Sequence, residues 1–385
     1  MGKPYKAMRP VDKLSVFYRN RKVGELSMSK NNRYCAFRYD DEWLASGFSI
    51  SPIELPLKAD LFISDTEPFY GNFGIFEDSL PDGYGRHLLK IIMNKQQIDV
   101  DSLTPLQFLT IARSSGMGAL YYLPESYLCE NIVALPALDE MQQMALNVLS
   151  DKTDFGCDVL YFGSSNAGGS RPKCMWSDDE GEWLVKFRHI YDPEDMGGRE
   201  LYRNIVARKC GINVSSFKLM QGKYFASKRF DIEGGERLHV ATAGALISES
   251  ILDAHYNAKS DYRMLLQLTN YLTHDNAQNE EMFRRMIFNV LTGNNDDHIK
   301  NFSYICRDGK WSLAPAYDLI SCENNCNNRR ATLINNSFNP TIEDMLVVGE
   351  CVKIPRARAI DIIRFVAENC EEIKTASKTA SKLRV

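Results

Sequence analysis

A chain of 385 residues, 44% hydrophobic and 25% charged, has the composition of a globular protein with a large core, divided into about two or three domains. Its formal net charge of −4 and pI near 6.0 disfavour direct, unaided nucleic-acid binding and leave open only a local basic face or contact beside a basic partner. No apolar run approaches membrane-spanning length, and the first thirteen residues lack the apolar core of a secretory signal.

Residues 1–125 read as a β-rich amino-terminal domain. Leu14, Val16 and Tyr18 alternate with Ser15 and Phe17. A polar turn at 19–22 precedes a return strand over 23–26, and 34–39 is a further aromatic strand. Short strands with close turns predict a small twisted sheet or barrel. Leu80-Pro81-Asp82-Gly83 is loop chemistry ahead of an apolar helix over 88–93, with Arg86 and His87 near the helix start. Gly116 and Gly118, either side of Met117, predict close backbone packing.

Residues 126–230 read as a nucleotide-binding region behind a helical connector over 130–160. Residues 163–173 form a glycine- and serine-rich loop that includes Ser164, Ser165, Gly168, Gly169, Ser170 and Lys173. Backbone amides in such a loop can cradle phosphate oxygens, although the Gly-Lys-Ser/Thr ending of a Walker loop is missing. The apolar strand 182–187 carries Lys186. A lysine among strand apolars needs a partner, because burying a lone ammonium is costly. In protein kinases that strand lysine draws nucleotide phosphates and is held by a helix glutamate. Glu200, expected to open a helix over 201–210, is the natural counterpart. Residues 224–231 read as a strand ending in charge, on an edge in the plain reading, before a Glu233-Gly234-Gly235 turn.

Residues 231–373 read as a mainly helical lobe, with helices over 264–272 and 358–373. Met282, Phe283, Met286, Ile287, Val290 and Leu291 share one helical face, and Gly293 suits a left-handed cap. Residues 294–300 lack periodicity and form a tight polar loop. Residues 302–305 and 311–313 are strands around an Arg307-Asp308-Gly309-Lys310 turn. Asn301 precedes this hairpin and Asp318 follows it, so folding brings them together as hard-oxygen ligands suited to Mg²⁺. Asp296 stands five residues before Asn301, the spacing by which a kinase catalytic loop joins its base to a metal asparagine. His298 and Lys300 are placed to brace the loop or neutralise transferring charge. The asparagine- and arginine-rich stretch 324–330 reads as a solvated loop. The tail 374–385 is low-complexity and basic, hence disordered. The ten cysteines are scattered without a Cys-x-x-Cys pair and read as free thiols in a reducing cytoplasm. Cys322 and Cys326 with His298 supply only three ligands for a zinc site.

GNNDDHIKNF followed by LAPAYDL resembles the HipA family of toxin serine/threonine kinases. So do Lys22-Val23-Gly24-Glu25-Leu26, the Leu-Pro-Asp segment, the Gly-Gly-x-x-x-Lys loop ending at Lys173, and Gly211-Ile212-Asn213-Val214. The resemblance covers nearly the whole chain, although the segment from Ser165 to Lys173 is one residue longer than the family pattern. It implies an α+β, protein-kinase-like two-lobed fold with a small amino-terminal β-rich domain and a largely helical carboxy-terminal lobe. It implies ATP and Mg²⁺ as cofactors. Gly168, Gly169, Ser170, Lys173, Lys186, Glu200 and Lys300 would serve the phosphates, and the backbone of Lys228 and Phe230 the adenine. Asp296 would act as base, with His298 and Lys300 beside it. Asn301 and Asp318 would hold the metal, and Ser164 or Ser165 would be autophosphorylated. The implied partner is a HipB-like DNA-binding antitoxin, with DNA reached only through that complex. The implied substrate is a translation-related protein such as an aminoacyl-tRNA synthetase. Two alternatives stand beside this reading: a mainly non-catalytic co-repressor subunit and a small-molecule phosphotransferase.

Overall fold

The computed structural model describes residues 8–111, 116–126, 134–164, 168–251, 260–320 and 330–373. They fall into two compact units, residues 1–197 with 218–241, and residues 198–217 with 242–385.

Among the described residues the first unit carries two larger sheets and a two-stranded antiparallel ribbon, Ile232–Glu233 with Glu236–Arg237. In the amino-terminal sheet, β1 (Lys13–Tyr18), β2 (Arg21–Met28), β3 (Cys35–Tyr39), β4 (Phe62–Ile63) and β5 (Leu120–Leu123) lie in the order β4-β3-β2-β1-β5. Leu14, Val16 and Tyr18 are all buried, as their alternation requires. The turn between β1 and β2 is only Arg19-Asn20, both at positive φ, so the polar turn is tighter than the expected 19–22. An aromatic cluster of Phe37, Tyr39 and Phe76 fills the space below.

The second sheet holds β6 (Lys173–Asp178), β7 (Gly181–Lys186), β8 (Phe217–Met220) and β9 (Tyr224–Lys228) in the order β6-β7-β9-β8. β9 is therefore an interior strand, not an edge. Tyr224, Phe225 and Ala226 are buried accordingly. The connector resolves into helices Leu138–Leu149 and Cys157–Ser164. Gly163 and Ser164 belong to the second of these, so the glycine-serine loop starts later than expected.

In the second unit, the helix Met196–Lys209, which enters from the first, begins ahead of the expected start, so Glu200 lies within it. The unit is otherwise mainly helical, with Tyr262–Thr273, Asn276–Leu291, Ile342–Glu350 and Arg356–Asn369 as its main helices. Asp275 caps Asn276–Leu291 by accepting the Ala277 amide at 2.8 Å. All six apolar residues of its predicted face are buried, each contributing roughly 1.5–3 kcal/mol. Gly293, at φ +66, ends it. Among the described residues no helix is long and apolar enough to cross a membrane. Cys322, Cys326, Ser165 and the 374–385 tail lie outside the described residues.

Candidate active site

The candidate stretch begins where the helix Asn276–Leu291 stops. Residues 294–298 form the loop, Ile299–Asn301 a single 3₁₀ turn, and Ser303–Arg307 and Lys310–Leu313 the hairpin. Asp308 and Gly309, at φ +50 and +86, make the two-residue turn their sequence demands. The hairpin is pinned to the helix behind it. The Gln278 side chain accepts the Leu313 amide at 2.6 Å, and buried Arg285 donates to the Ala314 carbonyl at 2.9 Å. Arg285 also pairs with Glu281 at 2.9 Å, so its charge is compensated.

This scaffold stitches the three proposed functional positions into one local network. The Asn301 side-chain amide donates to the Asp296 carbonyl at 2.7 Å. That bond orients the side chain and leaves Oδ1 as its acceptor atom. Asn294 bridges the other two positions. Its Nδ2 donates to the Asp318 carbonyl at 3.2 Å, and its Oδ1 accepts the Asp296 amide at 3.3 Å. Asp318 sits at φ +51, a left-handed conformation that a non-glycine residue adopts only where its surroundings hold it. Tyr317 supplies part of that hold. Its hydroxyl donates to the Lys300 carbonyl at 2.8 Å and lies 2.6 Å from Ser303 Oγ. His298 Nε2 stands 3.7 Å from Asp296 Oδ1, beyond hydrogen-bond distance.

Asp296 remains partly open to solvent, whereas its neighbour Asp297 is fully buried. Asp297 accepts from Tyr262 Oη at 2.9 Å and from Arg330 Nη2 at 2.9 Å. Burial and the Asp297 charge push the Tyr262 phenol well above its usual range, so it stays a donor. Asn294, Asp297 and Arg330 are the residues that sequence reasoning missed. The one available signal was the doubled acid Asp296-Asp297, since two adjacent loop carboxylates rarely face the same way.

In the first unit, Lys186 ends β7 directly opposite Lys173 on β6, with its ammonium 5.9 Å from the Phe225 ring centroid. Lys173 is buried and donates to the Gly168 carbonyl. Gly169 adopts φ +98. Its amide donates to Asp82 Oδ1 at 2.6 Å, and its carbonyl accepts from Tyr84 at 3.0 Å. A Cβ on Gly83 would lie 2.5 Å from the Gly169 carbonyl, so the Leu-Pro-Asp-Gly segment needs its glycine. The loop amide at Gly169 thus faces an acidic side chain of its own chain. Ser170 is exposed. Ser164 is buried at the end of its helix, with its hydroxyl 3.3 Å from the Tyr161 carbonyl. Lys228 is exposed at the end of β9 and donates to the Glu180 carbonyl at 2.9 Å. Phe230 is half-buried just beyond. In the second unit, Glu200 is buried within its helix.

Among the described residues no group of three His, Cys, Asp or Glu side chains could hold a metal. Asn301 and Asp318 would supply a different donor set, one amide oxygen and one carboxylate. Such hard oxygens suit Mg²⁺, which keeps water and substrate oxygens in its other positions.

The described residues pair a small β-rich part with a mainly helical one, and the fold class is α+β and kinase-like. Residues 14–123 match the HipA N-terminal domain, and residues 165–374 match the HipA-like C-terminal domain. The second match covers more than half of the chain, and the chain belongs to the HipA family. The serine/threonine-protein kinase toxin HipA of Shewanella oneidensis is 24% identical over 356 residues, 83% of this chain and 77% of that one. Y4dM of Sinorhizobium fredii is 29% identical over 160 residues, and this chain spans only 37% of that relative's length. The fold also matches HipA in a solved complex of HipA, HipB and operator DNA from Shewanella oneidensis. The TM-score is 0.70 at 19% identity, covering 96% of this chain and 93% of that one.

Proposed function

We propose that this chain is an ATP- and Mg²⁺-dependent serine/threonine-protein kinase that acts as the toxin of a toxin-antitoxin pair. The observation that carries the reading is the network by which Asn301 and Asn294 tie Asp296 to Asp318. Asp296 orients the acceptor hydroxyl and receives its proton at the carboxylate. Asn301 and Asp318 hold the cation, and Lys186 draws the phosphates, with Glu200 as its expected brace. Bound there, Mg²⁺ would neutralise phosphate charge as the phosphoryl group transfers. Lys300 and His298 flank the reacting groups. Gly168, Gly169, Ser170 and Lys173 shape the phosphate loop, and the backbone at Lys228 and Phe230 takes the base. Most of the rate enhancement comes from positioning and electrostatics.

The proposed partner is a HipB-like DNA-binding antitoxin, with DNA contacted only through that complex. The proposed target is a translation-related protein such as an aminoacyl-tRNA synthetase, together with the chain's own Ser165 or Ser164. The test is incubation with γ-labelled ATP and Mg²⁺, followed by mass mapping of phosphate. Label on the chain is expected, and Asp296→Ala should slow its appearance at least ~10²-fold. Near-normal transfer by that variant refutes the assignment of the base. Tight nucleotide binding without any transfer would instead favour a non-catalytic co-repressor, and label on a small molecule alone would favour a small-molecule phosphotransferase.

A further inference from the structure

A buried polar cluster of the second unit adjoins the proposed catalytic loop, and the proposed chemistry does not use it. Its centre is Asp297, one residue beyond the proposed base. Asp297 Oδ2 accepts from both Tyr262 Oη and Arg330 Nη2 at 2.9 Å, and Oδ1 accepts the Thr332 amide at 3.3 Å. The Asp297 backbone carbonyl accepts the Thr332 hydroxyl at 2.5 Å. Arg330 closes back on its own segment by donating to the Thr332 carbonyl at 2.9 Å, and Ala331 donates to the Asn295 carbonyl at 2.9 Å. The cluster continues towards the site. Asn289 donates to Tyr262 Oη at 3.0 Å and accepts from Asn294 at 3.1 Å. Asn294 is the residue whose amide bridges Asp296 and Asp318.

A buried carboxylate is costly unless it is paired and hydrogen-bonded, and Asp297 meets both conditions. Its partners come from the helix Tyr262–Thr273 and from residues 330–332, both distant in sequence. Hydrophobic packing would anchor the loop with fewer directional constraints. A charged pair with satisfied hydrogen bonds holds one geometry, and the bonds here run unbroken from Arg330 to the Asp318 backbone.

We infer that Asp297 and Arg330 are positioning residues for phosphoryl transfer: a buried ion pair that, through Tyr262, Asn289 and Asn294, sets where Asp296 and Asp318 stand relative to each other. This rests on the functional reading above and deepens it. Neither residue touches the reacting atoms. Their effect falls on the rate of transfer more than on nucleotide affinity, because Asp296 acts on the acceptor side. It also reaches the Mg²⁺ requirement, because Asn294 holds the Asp318 backbone.

The experiment uses the full chain with γ-labelled ATP, measuring the single-turnover rate of self-labelling across ATP and Mg²⁺ concentrations. Each rate is corrected for the fraction of protein that binds a non-hydrolysable ATP analogue. Asp297→Asn keeps the shape and removes the charge. Its corrected rate is expected to fall roughly 10²-fold, with ATP half-saturation within about 3-fold of wild type and Mg²⁺ half-saturation raised several-fold. Should Asp297→Asn fail to fold, Tyr262→Phe decides, since it deletes one hydroxyl at the centre of the relay. A rate drop of about 3- to 10-fold is expected there, again with ATP half-saturation little changed. A corrected rate equal to wild type in the variant that folds, while wild type transfers normally, overturns the inference alone. A wild-type chain that binds nucleotide but transfers nothing overturns the kinase reading and the inference with it.

Discussion

Asn294→Ala removes a side chain that binds both halves of the proposed site. In the wild type its amide makes three hydrogen bonds, to Asn289 Oδ1 at 3.1 Å, to the Asp318 carbonyl at 3.2 Å and from the Asp296 amide at 3.3 Å. The side chain is buried, so truncation gives water little access to replace them. At about 1 kcal/mol net for each bond, the loss of stability is about 3 kcal/mol. The functional loss has a different origin. Asp318 occupies a left-handed conformation, and one of its restraints disappears, so its backbone drifts relative to Asp296. A shift of about 1 Å at a reacting centre is enough for a loss of about 10²-fold. Asn294→Asp retains Oδ1 and the bond from the Asp296 amide, while losing both donations. It should fall between wild type and Ala in rate. Urea denaturation gives the stability change, and self-labelling with γ-labelled ATP gives the rate. An Ala variant within about 0.5 kcal/mol of wild type and labelling at the wild-type rate would refute the bridging role of Asn294.

Two further outcomes follow from the first unit. Lys186→Met should abolish most phosphoryl transfer, because it removes the strand ammonium proposed to draw the nucleotide phosphates; self-labelling near the wild-type rate would contradict this. His239 is fully buried, its Nε2 lies 2.7 Å from the Ile50 carbonyl, and burial lowers its pKa from 6.5 to about 4. The unfolded chain then binds more protons than the native one between those values. Stability is complete above pH 6.5 and declines as pH falls towards 4, by about 3 kcal/mol in total. His239→Gln should flatten that part of the urea-midpoint profile, and an unchanged slope would show that other groups govern it.

The elements that local pattern could reveal are those whose spacing reports burial directly. The face of Asn276–Leu291, the alternation of β1 and the Asp308-Gly309 turn each follow from a short-range rule, and each stands where the pattern puts it. The start of the helix at Met196 did not show, because Gly197 and Gly198 each cost a helix about 1 kcal/mol relative to alanine. A Cβ on Gly197 would lie 2.0 Å from the Lys223 carbonyl, so a tertiary approach selects glycine there against local propensity. The interior place of β9 was hidden for a related reason: which strand flanks which is decided by pairing across the sheet. At the site, the Asp-to-Asn spacing and the Tyr-Asp pair were legible as a kinase-like pattern. The residues that hold them were not.

Asp296 and Asp297 show why. In one dimension they are the same residue twice, and no periodicity operates in a loop of this length to tell them apart. Their separate fates depend on groups far away in the chain. Tyr262 and Arg330 together satisfy one carboxylate oxygen in the interior, so one acid can be buried in its charged form. The other acid then faces outward beside His298, where a proton acceptor is useful. In the proposed function the doubled acid therefore divides one loop between two physical tasks, anchorage by a desolvated ion pair and chemistry by a solvated carboxylate. Exchanging the environments would fail on both counts: an anchor in water is screened, and a base locked in the interior to an arginine is out of reach of an acceptor hydroxyl.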